Sequence, residues 1–230
     1  MSDSYQRVAM ITGASRGLGR TTALALVGAG WVVVADARNG EELFQAIGDE
    51  VVAVPGDVTD PNHRRDLVEA AHAAGGLDLL VNNASTLGPS PRPRLKDYPL
   101  DALRRVYEVN VLAPLALIQT ALPLLRRRNG VIVNVTSDAG TEAYEGWGGY
   151  GSSKAALNQM SDILAVEETV VSVYRFDPGD MNTRMHQEAF PGEDISDRPD
   201  PEKSVPALLA LMEGRPSSGA YRVGDALLSA

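Results

Sequence analysis

Tyr150 stands four residues ahead of Lys154, one of only three lysines in this 230-residue chain (with Lys96 and Lys203). On a helix, positions i and i+4 share one face, with Cβ atoms about 6 Å apart. An ammonium held that close to a phenol favours the phenolate and lowers the tyrosine pKa from its ordinary value near 10. A phenol shifted by about 3 units, or about 4 kcal/mol, could exchange protons near neutrality. The alternative is a solvated tyrosine–lysine pair on a surface helix. A second candidate lies near the start of the chain, at Thr12-Gly13-Ala14-Ser15-Arg16-Gly17-Leu18-Gly19. Glycines in a tight turn between a strand and a helix let backbone N–H groups approach a pyrophosphate at the helix N-terminus. Glycine-rich turns are common, so the context decides their meaning.

The elements that must carry these residues follow from the apolar patterning. Val8–Ile11, Trp31–Ala35, Val51–Val54, Leu79–Val81, Val131–Val135 and Val170–Phe176 read as strands. Most are almost wholly apolar, as in a parallel sheet covered on both faces. Gly17–Gly28, Glu41–Ile47, Asn62–Ala74, Leu100–Leu125 and Tyr150–Val166 read as helices between them, with Pro206–Met212 as a last helix and Ala220–Val223 as a short edge strand. This alternation predicts an α/β, Rossmann-like doubly wound parallel sheet in a single domain over residues 1–230. Arg184–Pro201, rich in acid, proline and glycine, is either a substrate lid or a plain surface loop.

The spacing G-x-x-x-G-x-G, from Gly13 through Gly17 to Gly19, resembles the short-chain dehydrogenase/reductase family in its short, non-extended form. The resemblance runs along nearly the whole chain. Asp57-Val58 follows the third strand. Asn82-Asn83-Ala84 follows the fourth, with Ser85 where the family has glycine. Asn110 lies in the long helix, Ser137 follows the fifth strand, and Pro178-Gly179 with Thr183 follows the sixth. The resemblance implies hydride transfer between a nicotinamide cofactor and a carbonyl or secondary alcohol. Tyr150 would then be the general acid/base. Lys154 would lower its pKa and hold the nicotinamide ribose, Ser137 would bond the reacting oxygen, and Asn110 would kink its helix and position a relay water. Cofactor contacts would come from Gly13, Ser15, Arg16, Gly17, Leu18, Gly19, Arg38, Asp57, Val58, Asn83, Ala84, Tyr150, Lys154, Pro178, Gly179 and Thr183.

Cofactor choice turns on Val34-Ala35-Asp36-Ala37-Arg38 at the tip of the second strand. An acid there selects the ribose 2′-OH of NAD, whereas an arginine accepts the 2′-phosphate of NADP. Ala37 occupies the family's usual acidic position. Side chains alternate along a strand, so Asp36 is expected to point away from the ribose. With Arg38 and Arg16 nearby, NADP(H) is favoured over NAD(H). Departures include a shortened connection into the sixth strand and a C-terminus without the family's usual long strand. A homodimer through Leu100–Leu125 and Tyr150–Val166 is the expected assembly, with a homotetramer as the alternative.

A net charge of -9 argues against nucleic-acid binding, and the only basic run, Arg126–Arg128, falls where a helix should end. The absence of cysteine excludes disulfides and thiolate chemistry. His63, His72 and His186 are scattered without metal-ligand spacing, and each is expected on the surface. Val109–Leu125 is interrupted by Asn110, Pro114, Gln119 and Pro123, which argues against a membrane span. With no secretory pattern at Val8–Ile11, a cytoplasmic protein acting on a small molecule is expected, without nucleic-acid or membrane partners and without a metal. Asp138–Gly149, with Glu142, Tyr144, Glu145 and Trp147, would form the floor of the substrate pocket, and Met181, Met185 and Phe190 the lid side; they assign no substrate. The competing function is a catalytically idle dinucleotide sensor or scaffold on the same fold, although such proteins usually lose one of Ser137, Tyr150 and Lys154. A nucleotide-sugar isomerase or lyase is disfavoured by the short chain.

Overall fold

A computed structural model describes residues 6–225. Seven parallel strands form one sheet in the order β3-β2-β1-β4-β5-β6-β7. They are β1 (Val8–Ile11), β2 (Val32–Ala35), β3 (Val52–Ala53), β4 (Leu79–Asn82), β5 (Val131–Val135), β6 (Ser172–Asp177) and β7 (Gly219–Arg222). The intervening helices are α1 (Gly17–Gly28), α2 (Gly40–Ile47), α3 (Pro61–Ala73), α4 (Leu100–Tyr107), α5 (Ala113–Arg128), α6 (Gly148–Glu167), α7 (Arg184–Ala189) and α8 (Val205–Gly214). The chain reverses direction across the sheet between β1 and β4, so a crevice opens there at the carboxyl ends of the strands.

The core shows why the strands are apolar throughout. Ala9 and Ile11 of β1 pack into one cluster with α1, α2 and α8, while Val8 and Met10 pack into another with α3 and α5. Alternate residues thus serve opposite layers, which is the period of a strand buried on both faces. β3 is shorter than its sequence suggests. It pairs only with β2, both its residues are exposed, and Pro55 follows closely.

Leu100–Leu125 is not one regular helix. A π-helical turn, Glu108–Leu112, separates α4 from α5 and places Asn110 inside the fold, and α5 continues to Arg128. Such turns insert one residue into the helical ladder and often mark functional sites. The span Leu100–Arg128 is long and apolar enough to cross a membrane, yet Leu117, Ile118, Ala121, Leu124 and Leu125 pack against the sheet. Residues 184–201 contain α7 followed by a return loop, which ends against a short 3₁₀ turn, Pro201–Ser204.

Candidate active site

A cleft of about 1350 Å³ runs over the carboxyl ends of the strands, from Arg38 and Asp57 at one end to Tyr144 and Trp147 at the other. The end at Arg38 and Asp57 is shaped by glycine. Gly13 has φ +70°, and a Cβ there would lie 2.9 Å from Ala84 Cα. Gly17, at φ +54°, opens α1, whose N-cap residue Arg16 makes no side-chain cap. The uncapped amides at this N-terminus suit an anion. Gly19 lies behind the cleft surface: a Cβ on it would collide with Gly13 O and Asn83 Nδ2. Its part is to let the loop and β4 close together. Asn83 Nδ2 completes that closure by donating to Thr12 O at 2.9 Å and Gly13 O at 3.1 Å, and Thr12 Oγ1 accepts from Asn83 N and Ala84 N at 3.0 Å.

Ser15, Arg16, Gly17, Leu18, Arg38, Asp57, Val58, Asn83, Ala84, Pro178, Gly179 and Thr183 all line this cleft. Asp57 is already engaged: Thr59 N and Oγ1 donate to it, and Arg105 pairs with it at 2.6 Å. Burial would raise its pKa, but these hydrogen bonds outweigh that and hold it below the usual carboxylate range. Asp36, as its strand parity predicts, faces inward. It is 1% exposed, and its carboxylate accepts from Gly13 N at 2.6 Å and meets His63 Nε2 at 2.9 Å. His63 is therefore not a surface residue. Gly56 makes room for the ring, because a Cβ there would overlap it. The walls of the crevice thus offer a curved glycine cradle, free helix amides and two exposed arginines, a set that fits a dinucleotide.

At the other end, Tyr150 and Lys154 share one face of α6, and Ser137 emerges from β5. Lys154 is 2% exposed; its Nζ donates to Val135 O at 2.8 Å and lies 5.4 Å from the Tyr150 ring centroid. Burial pushes Lys154 down to about 8, against an upward pull from Asp177. Burial, with help from Asp177, likewise pushes the Tyr150 phenol well above its ordinary value, while Ser137 and Ser85 draw it back. The expectation of a depressed phenol is therefore not met in the protein alone, because desolvation is the larger influence. Ser137 Oγ donates to Asp138 Oδ1 at 3.0 Å, and Tyr144 donates to Asp138 Oδ2 at 3.1 Å.

Asn110 does not reach the cleft surface. Its Oδ1 accepts from Ser85 Oγ (3.1 Å) and Thr86 N (2.8 Å), and its Nδ2 donates to Thr86 O (2.9 Å) and Ser153 Oγ (3.0 Å). Those four bonds use the full capacity of the amide. A water at this residue would therefore have to meet its backbone, and the side chain's work is to tie the π turn to α6 and to the loop after β4. Ser85, the departure from the glycine of the family pattern, is one of its partners.

Sequence reasoning missed two features of this end. The influence of Asp177 on both Tyr150 and Lys154 is hidden in the sequence because it depends on β6 lying beside β5. Arg92 is remote in sequence, yet its guanidinium stacks 4.2 Å from the Trp147 ring centroid and 4.8 Å from that of Phe190. Trp147 in turn meets the Tyr150 ring edge-on at 5.7 Å. The loop after β4, the end of α7 and the tyrosine are thus joined through one indole.

Known proteins resemble this chain in sequence and fold. An uncharacterized oxidoreductase of Saccharomyces cerevisiae is 36% identical over 185 residues, covering 78% of this chain and 72% of the relative. Mouse L-fucose dehydrogenase is 34% identical over 188 residues, covering 79% and 68%. Among solved structures, a short-chain dehydrogenase from Shigella flexneri in complex with NADP superposes with a TM-score of 0.88 at 28% identity, covering 96% of this chain and 98% of that one. The short chain dehydrogenase family model matches residues 7–194, so the chain belongs to the short-chain dehydrogenase/reductase family, whose members are NAD(P)-dependent oxidoreductases.

Proposed function

We propose that this protein uses NADP(H) to interconvert a small carbonyl compound and its secondary alcohol. One observation carries the reading: Ser137, Tyr150 and Lys154 converge at one end of a continuous cleft whose other end presents Arg16 and Arg38 beside an acid turned inward. The bound nicotinamide supplies or accepts the hydride. The chain's own residues manage position and protons. In reduction, the carbonyl carbon gains hydride while the Tyr150 hydroxyl passes its proton to the carbonyl oxygen, giving C–OH. Oxidation returns that proton to the phenolate. Ser137 Oγ sits where it can exchange its bond to Asp138 for one to the reacting oxygen and so stabilise the charge that develops there. Lys154, fixed by Val135 O, lies 5.4 Å from the ring centroid and would hold the ribose of the bound cofactor.

Arg16 and Arg38 support NADP(H), since an arginine near the second strand accepts a 2′-phosphate. Leu112, Ile163 and Val166 leave apolar positions exposed on α5's approach and on α6. They support a homodimer through these helices, which a monomer in sedimentation at micromolar concentration would contradict. The test of function is oxidation of NADPH and NADH against ketones, aldehydes and quinones, with the reverse assay on secondary alcohols. Net consumption with a higher kcat/KM for NADPH is the expected result. A higher value for NADH would overturn the cofactor assignment, and tight binding without any turnover would mark an idle dinucleotide sensor.

A further inference from the structure

The Asp36–His63 pair lies under the nucleotide end of the cleft, and the chemistry proposed above does not use it. Both residues are buried, at 1% and 5% exposure. Their bond links three segments that shape the cleft: the glycine loop through Gly13 N, the end of β2 through Asp36, and the turn after β3, where Gly56 accommodates the His63 ring. Ala14 N also donates to Asp36 O at 2.8 Å, so the aspartate clasps the loop with both its backbone and its side chain. Burying a carboxylate costs free energy unless it is paired and hydrogen-bonded, and here burial raises the pKa of Asp36 while His63 and Gly13 oppose the rise. Without His63, the carboxylate would keep Gly13 N on Oδ1 but lose the partner of Oδ2. The nearest relief is the cleft, which Asp36 already borders.

We propose that His63 is a positioning residue for cofactor selectivity: by holding the Asp36 carboxylate inside the protein, it keeps an acid out of the corner that Arg16 and Arg38 offer to a 2′-phosphate. The inference rests on the NADP(H) reading above. A carboxylate released toward that corner would repel the dianionic 2′-phosphate of NADPH and accept a hydrogen bond from the free 2′-OH of NADH. Selectivity is a difference of two affinities, so one side chain that keeps a like charge away can set it without touching either ligand.

Dissociation constants for NADPH and NADH, measured by calorimetry on the whole protein, test this without any turnover. His63→Leu should lower the NADPH-over-NADH preference by about tenfold, the size expected for one like charge brought to a solvated rim. His63→Gln, whose amide N–H can still donate to Asp36, should largely restore it. Asp36→Asn should keep the NADPH preference, and adding His63→Leu to it should produce no further change, because no carboxylate is left to release. Should His63→Leu fail to fold, His63→Asn, too short to hold the carboxylate, must show the same loss. Equal weakening of both cofactors in His63→Leu would reduce the pair to a structural clasp and overturn the proposal. A selectivity loss that persists in the Asp36→Asn background would do the same. A wild type that prefers NADH would instead overturn the NADP(H) reading itself, and with it the role given to His63.

Discussion

Lys154 should make the protein less stable than it could be, and the size of that effect can be worked out. The residue is 2% exposed, and burial lowers its pKa from 10.5 to about 8. A shift of that size corresponds to about 3 kcal/mol of destabilisation when the group is charged in both states, as at pH 7. Lys154→Met retains the volume and removes the charge, but it leaves Val135 O without its donor, which costs about 1–3 kcal/mol. The variant should therefore be as stable as wild type at pH 7, or more stable by up to about 2 kcal/mol. Because the folded value lies below the unfolded one, the unfolded chain holds more protons between the two, and wild-type stability climbs as pH rises through this window. Relative to Lys154→Met, wild type should gain about 2 kcal/mol between pH 7 and pH 9.5. Urea denaturation of both proteins without cofactor reads this difference directly, since titrations common to the two cancel. The chain has no cysteine to complicate alkaline conditions. Parallel stability curves from pH 7 to 9.5, or a variant less stable by more than about 1 kcal/mol at pH 7, would refute a charged, desolvated Lys154.

Two substitutions probe the ends of the cleft. Tyr150→Phe should reduce turnover at least about a hundredfold, the usual contribution of a positioned acid/base, while cofactor affinity measured by calorimetry changes little; turnover near wild type would remove Tyr150 from the chemistry. Arg38→Ala should weaken NADPH binding by about 1–2 kcal/mol, as expected for one lost charge-assisted hydrogen bond, and leave NADH nearly unaffected. An equal loss for both cofactors would show that Arg38 shapes the loop without meeting the 2′-phosphate.

Local patterns made most of the scaffold legible. Apolar runs of three to five residues and the glycine spacing place β1, β2, β4 and β5 and the loop before α1 with little error. Residues whose roles depend on contacts distant in sequence were not legible. His63 looks like a surface residue on a polar helix until β2 brings Asp36 to it, 27 positions away. Arg92 looks like part of a proline-rich loop until Trp147 and Phe190 close around it. The surroundings of Asn110 are likewise not legible: the π turn and the four bonds of its amide depend on Ser85, Thr86 and Ser153 arriving from two other segments.

The same limit reverses the first electrostatic reading of the site. A tyrosine–lysine spacing by itself suggests a phenol made acidic by its neighbour, but the fold desolvates both groups, raising one pKa and lowering the other. Each shift favours the neutral form, so moving the Tyr150 proton onto Lys154 is uphill in the protein alone. A neutral phenol remains a competent donor to an oxygen becoming an alkoxide, whose basicity exceeds that of phenolate. It is a poor starting point for removing a proton from an alcohol, which requires the scarce phenolate. The chain's own electrostatics therefore favour proton donation at neutral pH and leave proton removal dependent on alkalinity. Reductive kcat/KM should be flat from pH 6 to 8, while the oxidative value should rise about tenfold per pH unit over the same interval, as expected for a base far below its pKa. An oxidative profile already level at pH 7 would mean that the assembled site holds Tyr150 as phenolate, with the positive charges around it outweighing the burial that dominates here.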